Sequence, residues 1–193
     1  MGINKENFFF FYKDCSDLEI FPNSVEHAYL AILNEDLYKA HQIFSKLDSP
    51  RSHWGDALVS ILSDGWMTKR PTYFQIRNFM EIDTDFLLKN QKIDYVEQLL
   101  GALEIFSKIN SQTYKFAARV MLENNLLQAA YTYMEEAKRI YYQDPELHYM
   151  LAKYFIERKN FEKAYFSVKE CLNLLPDYYP ALCLKQKIEE NII

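Results

Sequence analysis

From about Asn23 onward, the apolar positions of the chain recur at intervals of three and four, which places them on one face of a helix. The run SVEHAYLAILNEDL opens the pattern, with Asn23 and Glu26 as an expected capping box. LYKAHQIFSKL comes after almost no gap, so the two runs predict a hairpin of short helices. After Ser49 and Pro50, Trp54, Leu58 and Ile61 fall on one side of a further helix, which Gly65 and the polar stretch MTKRP end. The middle of the chain is less regular. PTYFQIRNFMEI, from Pro71, predicts a helix, and DTDFLLKN is short and polar at both ends. KIDYVEQLLGALEIFSKI predicts one longer amphipathic helix with Gly101 inside it.

From Ser111 the pattern sharpens. QTYKFAARVMLEN and LLQAAYTYMEEAKRIYY precede Asp144 and Pro145, an N-cap followed by the proline position that a helix start favours. PELHYMLAKYFIERK and NFEKAYFSVKECLNLL then repeat the alternation. No strand pattern of comparable strength occurs, and no low-complexity linker divides the chain.

A shift of 34 residues lays the last two helix pairs over each other. Ala118 meets Ala152, Leu127 meets Phe161 and Ala130 meets Ala164, while Met134, Ala137 and Ile140 meet Val168, Cys171 and Leu174. Small residues recur where two helices would cross, and bulky ones recur beside the crossing, so size is what repeats. Over Pro145 to Pro176 the segment resembles the tetratricopeptide repeat family. His148, Leu151, Ala152 and Phe155 fill the pattern of the first helix, Ala164, Val168 and Cys171 fill that of the second, and Pro176 closes the unit. The departures are His148 in place of a large aromatic, Ala152 in place of glycine, and Tyr142 in place of a closing proline.

The resemblance implies an all-α fold: an α-α superhelix of antiparallel helix hairpins, wound as a right-handed solenoid. It implies one helical-repeat domain over 1–193, with an N-terminal segment (1–22), degenerate repeats (23–110), two clear units (111–176) and a polar capping helix (177–193). In the degenerate part, Leu37, Ala40, Phe44 and Leu47 copy the stripe of a second helix.

Composition agrees with helices and narrows the partners. Gly (4) and Pro (6) are scarce, while 15 Tyr and 14 Phe are an unusual load that either fills gaps between helices or supplies contact surface. The formal net charge of −5, without a run of like charge, argues against nucleic acid. Cys15, Cys171 and Cys183 form no CxxC pattern, which fits a reducing compartment, and a cytoplasmic location is the expectation. The run FFFFY (Phe8 to Tyr12) is too short for a signal-peptide core or a membrane span, so no membrane insertion is expected. Met1-Gly2 starts like a myristoylation site, but Glu6 stands where Ser or Thr is wanted. FFFFY is instead expected to pack over the first helices or to form a partner or homodimer contact.

Catalytic and metal motifs are missing. His27, His41, His53 and His148 show no metal-ligand spacing, and the glycines form neither a phosphate loop nor a nucleophile elbow. HWGD invites a catalytic reading of His53 and Asp56 with Trp54, but no nucleophile accompanies it. No cofactor and no enzymatic activity are therefore expected. His148 occupies the repeat slot of Tyr114 and is expected to be a packed, hydrogen-bonded core residue. Cys171 occupies the slot of Ala137, which asks for small volume rather than a reactive thiol.

In the family that the chain resembles, the first helix of each unit lines a groove that receives a partner's peptide or helix. Carried over, the groove positions are Gln112, Lys115, Arg119 and Leu122, then Glu146, Tyr149, Lys153 and Ile156. Lys115, Arg119 and Lys153 would make a basic stripe that favours an acidic ligand segment. The family's clamp for a C-terminal carboxylate is not supported, because Arg119 and Met150 stand where asparagines are needed. The function implied is a non-catalytic scaffold or adaptor. The alternative is a small acidic chaperone that holds a client protein before export.

Overall fold

A computed structural model describes residues 22–64 and 70–192, in which all regular structure is helical. The FFFFY run, Cys15 and the break after Asp64 lie outside the described residues. The chain divides into two compact units between Asn110 and Ser111, where the hydrophobic pattern sharpens.

The first unit contains α1 (Val25–Leu33), α2 (Leu37–Phe44) and α3 (Pro50–Asp64). A short α4 (Tyr73–Gln75) then runs through a π-helical stretch (Ile76–Met80) into α5 (Glu81–Lys89), followed by α6 (Ile93–Gly101) and α7 (Leu103–Ser107). The N-cap of α1 is Ser24, whose hydroxyl accepts from the His27 N–H at 3.2 Å, one residue beyond the expected Asn23. DTDFLLKN is not a separate element. It continues the helix that Thr72 opens with a capping box to Gln75, because Asp83, Thr84 and Asp85 are buried and hydrogen-bonded rather than solvated. The predicted long helix around Gly101 is two short ones, since the Ala102 N–H bonds to the Leu99 carbonyl at 3.2 Å, three residues back.

Half of the aromatic side chains described in this unit are core. Tyr29, Phe44, Trp54, Phe86 and Phe106 are almost completely buried, and Tyr29 stands edge-on to both Phe44 (5.4 Å) and Phe86 (5.6 Å). Trp54, Leu58 and Ile61 form the predicted buried stripe of α3. Gly55 is the close approach between α3 and α2: a Cβ there would lie 2.4 Å from the Phe44 ring.

The second unit contains α8 (Thr113–Glu123), α9 (Leu127–Ile140), α10 (Pro145–Glu157), α11 (Phe161–Leu174) and α12 (Tyr179–Ile192). Helix α8 packs on α9, α10 on α11, and α11 on α12. Asp144 caps α10 as expected, its Oδ1 accepting from the N–H groups of Glu146 (3.0 Å) and Leu147 (3.2 Å). The residues paired by the 34-residue shift match in burial as well as in size. Ala118, Ala130, Met134 and Ala137 are buried, as are Ala152, Ala164, Val168 and Cys171, and the last pair, Ile140 and Leu174, is exposed in both.

Four turns share one geometry. Glu35, Gln91, Asn125 and Lys159 all have φ near +60° (64°, 59°, 59° and 56°), and each joins two helices through a three-residue link. In each, the left-handed residue donates to the carbonyl three back and the next residue to the carbonyl five back, as in Lys159→Ile156 (2.8 Å) and Asn160→Phe155 (2.8 Å). These bonds satisfy two carbonyls that the helix end leaves open, the Schellman arrangement. Gln91, Asn125 and Lys159 succeed one another at intervals of 34 residues.

Candidate functional site

The predicted groove positions lie on α8 and α10, which touch within the second unit. Lys115 is buried, not presented. Its side chain is 7% exposed, and its ammonium donates to Asp144 Oδ2 at 2.6 Å and lies 3.1 Å from Glu146. Arg119 pairs with the other oxygen of Glu146 at 2.5 Å. The expected basic stripe is therefore partly neutralised from within: Asp144, held as a cap at the start of α10, and Glu146 on its first turn reach back to the cations of α8. Leu122 is buried and Gln112 half-buried at the start of α8. What remains accessible is Lys153, which is exposed, with half-buried Tyr149 and Ile156.

The 34-residue shift explains how this face is built. Lys115 and Asp144 are related as Tyr149 and Tyr178 are one unit later. Where the first pair forms an ion pair, the second packs ring edge to ring face at 5.4 Å. Burial raises the phenol pKa of both tyrosines, and the carboxylate of Glu146 adds to the shift at Tyr178. Both remain neutral aromatics at physiological pH, so the face combines aromatic surface with the exposed Lys153 cation.

The HWGD residues diverge. His53 reaches Asp48 at 3.3 Å on the surface, Asp56 reaches His41 at 2.6 Å, and the Trp54 indole N–H donates to Asp83. Asp83 is a feature that the sequence did not disclose. Fully buried, it also accepts from the Tyr29 hydroxyl at 2.7 Å and from Arg51, whose guanidinium lies 4.5 Å from the Tyr29 ring centroid and 4.8 Å from that of Phe79. Its donors come from α1 and α3, so this carboxylate ties three helices together. In the sequence its segment stood out only as short and polar at both ends, which gives no sign of the buried partners.

His148 is the packed residue expected. It is 3% exposed, with Nε2–H donating to the Tyr142 carbonyl at 2.9 Å and Tyr142 edge-on at 4.8 Å. Cys171 is fully buried among Ala152, Ala164, Val168, Ala181 and Ile188, and burial pushes its thiol up to about 11. Such a thiol is protonated and unreactive at neutral pH. Among the described residues, no group of three His, Cys, Asp or Glu side chains is placed to hold a metal ion, and no helix is long and apolar enough to cross a membrane. No protein-family model, curated protein or solved structure matches the chain.

Proposed function

We propose that the chain is a non-catalytic protein-interaction module built from tetratricopeptide-like helix hairpins, and that the α8–α10 face of its second unit receives a segment of a partner protein. The observation that carries this reading is the 34-residue recurrence of residue size, burial and turn geometry. Repeats of one supersecondary unit expose the same helix face again and again, and such faces suit extended ligands better than a compact substrate. The contact residues are Tyr149, Lys153 and Ile156, with Arg119 and Glu146 as a polar margin whose charges are already balanced. Lys153 supplies the preference for an acidic residue.

The test is affinity capture of the full chain from its native cell, with co-purifying proteins identified by mass spectrometry. Lys153→Glu combined with Tyr149→Ala is expected to remove the principal partner without lowering the melting temperature by more than a few degrees. Unchanged recovery of that partner would rule out this face. Lys115 is unsuitable for the test, because its charge holds the unit together.

A further inference from the structure

The 34-residue shift that carries α8 onto α10 also carries α10 onto α12, and the backbone leading into the two helices is the same. Tyr141 ends α9 at φ −149°, ψ 95°, and Leu175 ends α11 at φ −140°, ψ 86°. Each donates its N–H to the carbonyl four residues back, that of Ala137 or Cys171, at 2.9 Å. The first turns then close alike: the His148 N–H bonds to the Asp144 carbonyl at 3.3 Å and the Leu182 N–H to that of Tyr178 at 3.2 Å. Burial keeps the register, since Leu147 and Tyr154 on α10 and Ala181 and Ile188 on α12 are all buried. Helix α12 therefore starts against α10 as α10 starts against α8, and Tyr149 meets Tyr178 where Lys115 meets Asp144.

One turn further along, the correspondence breaks in charge. Arg119 is paired at 2.5 Å with Glu146, the second residue of α10. The same shift carries Arg119 to Lys153, and Glu146 to Pro180, the second residue of α12. Proline brings no carboxylate. Lys153 and Pro180 are both exposed, and Lys153 forms no ion pair among the described residues. The carboxylates of the region do not fill the place. Glu146 is held by Lys115 and Arg119, Glu190 on α12 bonds to Gln186 at 3.1 Å, and the exposed Glu157 and Asp177 make no ion pair with Lys153. With these acids around it Lys153 exerts little pull at a distance. What it offers is a contact position, the one that a carboxylate occupies one unit earlier.

We propose, on the reading that the α8–α10 face receives a partner segment, that the place left open by Pro180 is a carboxylate subsite. One glutamate or aspartate side chain of the partner lies against Lys153 as Glu146 lies against Arg119, beside the Tyr149 and Tyr178 rings. The Arg119–Glu146 pair is the chain's own copy of that contact. The rings supply most of the affinity, and the single charge pair fixes the register of the segment along the face.

The probe is a blocked leucine-glutamate-leucine tripeptide, titrated against the full nitrogen-15-labelled chain by NMR, with leucine-glutamine-leucine as the control. The glutamate peptide is expected to shift the amide signals of Tyr149, Lys153 and Tyr178 and to bind about three- to fivefold more tightly than the control, the upper range for an exposed pair. Lys153→Met is expected to abolish that preference. Pro180→Glu restores the carboxylate that Glu146 supplies one unit earlier, and is expected to abolish the preference by occupying Lys153 from within. It should also raise the melting temperature of the wild-type chain more than that of Lys153→Met. Both positions are exposed, and circular dichroism verifies that the variants fold. A glutamate preference that survives either variant overturns the proposal. Equal binding of the two peptides at this face overturns the carboxylate subsite and leaves the face standing. Absence of any response overturns the subsite too, and partner capture with Tyr149→Ala then decides the face: a lost partner retains it, and unchanged recovery removes both.

Discussion

Replacing Lys115 by methionine keeps most of its volume and removes its charge, and the surroundings of the ammonium set the cost. In the wild-type chain it is buried and bonded to Asp144 at 2.6 Å, with Glu146 at 3.1 Å. Breaking a buried pair by removing one partner costs about 3–5 kcal/mol, most of it from the charge left behind. Here the orphan is not entirely abandoned. Asp144 keeps two backbone N–H donors at the start of α10 and the positive end of that helix, while Glu146, 40% exposed, keeps Arg119 and water. The expected loss therefore falls at or just below the bottom of that range, about 2–3 kcal/mol. Asp144→Asn keeps a capping oxygen but removes the negative charge, so the double variant should lose much less than the sum of the two single losses, with a coupling of about 1–3 kcal/mol. Urea denaturation monitored by circular dichroism measures all four corners of the cycle. A loss below about 0.5 kcal/mol for Lys115→Met, the range of an ordinary surface substitution, would refute the reasoning. So would strict additivity, which would mean that the pair does not act as a unit in solution.

The two glycines that the structure describes are expected to respond oppositely to alanine. Gly55→Ala drives a Cβ into the buried Phe44 ring and should destabilise by about 1–3 kcal/mol, whereas Gly101→Ala meets nothing within 4 Å and should stabilise by about 0.5–1 kcal/mol; thermal melts that rank them the other way would refute the α2–α3 contact. Cys171 has a folded-state pKa raised from its ordinary value near 9 to about 11, so its neutral form contributes stability that is complete below pH 9 and is lost as pH rises towards 11. Cys171→Ala should flatten that alkaline decline and cost little at neutral pH, while Cys171→Phe should unfold the α10–α12 packing; a decline unchanged by the alanine variant would show that the thiol is not its source.

The second unit was more legible in the sequence than the first, and the reason is local. Between Ser111 and Pro176 the helices pack mainly on their neighbours in the chain through one apolar face, so the pattern has the helix period, and Asp144 with Pro145 marks a start that needs no long-range information. The DTDFLLKN segment offers no such clue. Asp83 is buried because Tyr29, Trp54 and Arg51, 54, 29 and 32 residues away in sequence, supply its donors, and nothing near Asp83 announces them. A polar residue whose partners are remote reads as exposed until they are placed. The same limit applied to the groove. The positions of Lys115 and Arg119 on their helix face were readable from the repeat, but their charge state as a surface was not, because the neutralising Asp144 and Glu146 sit on the next helix pair.

That neutralisation bears on the kind of partner the proposed α8–α10 contact face could select. Cations fixed to internal carboxylates contribute little attraction at a distance, since an incoming acid meets a paired dipole and must displace a counter-charge at 2.6 Å to gain a direct contact. The α8–α10 face is thus suited to recognition by shape and aromatic contact, with Tyr149 and Tyr178 as its large side chains and Lys153 as its open charge. Binding governed by the tyrosine pair, as proposed for this face, should therefore change little as ionic strength rises and the Debye length shortens from about 10 Å at 0.1 M to about 3 Å at 1 M.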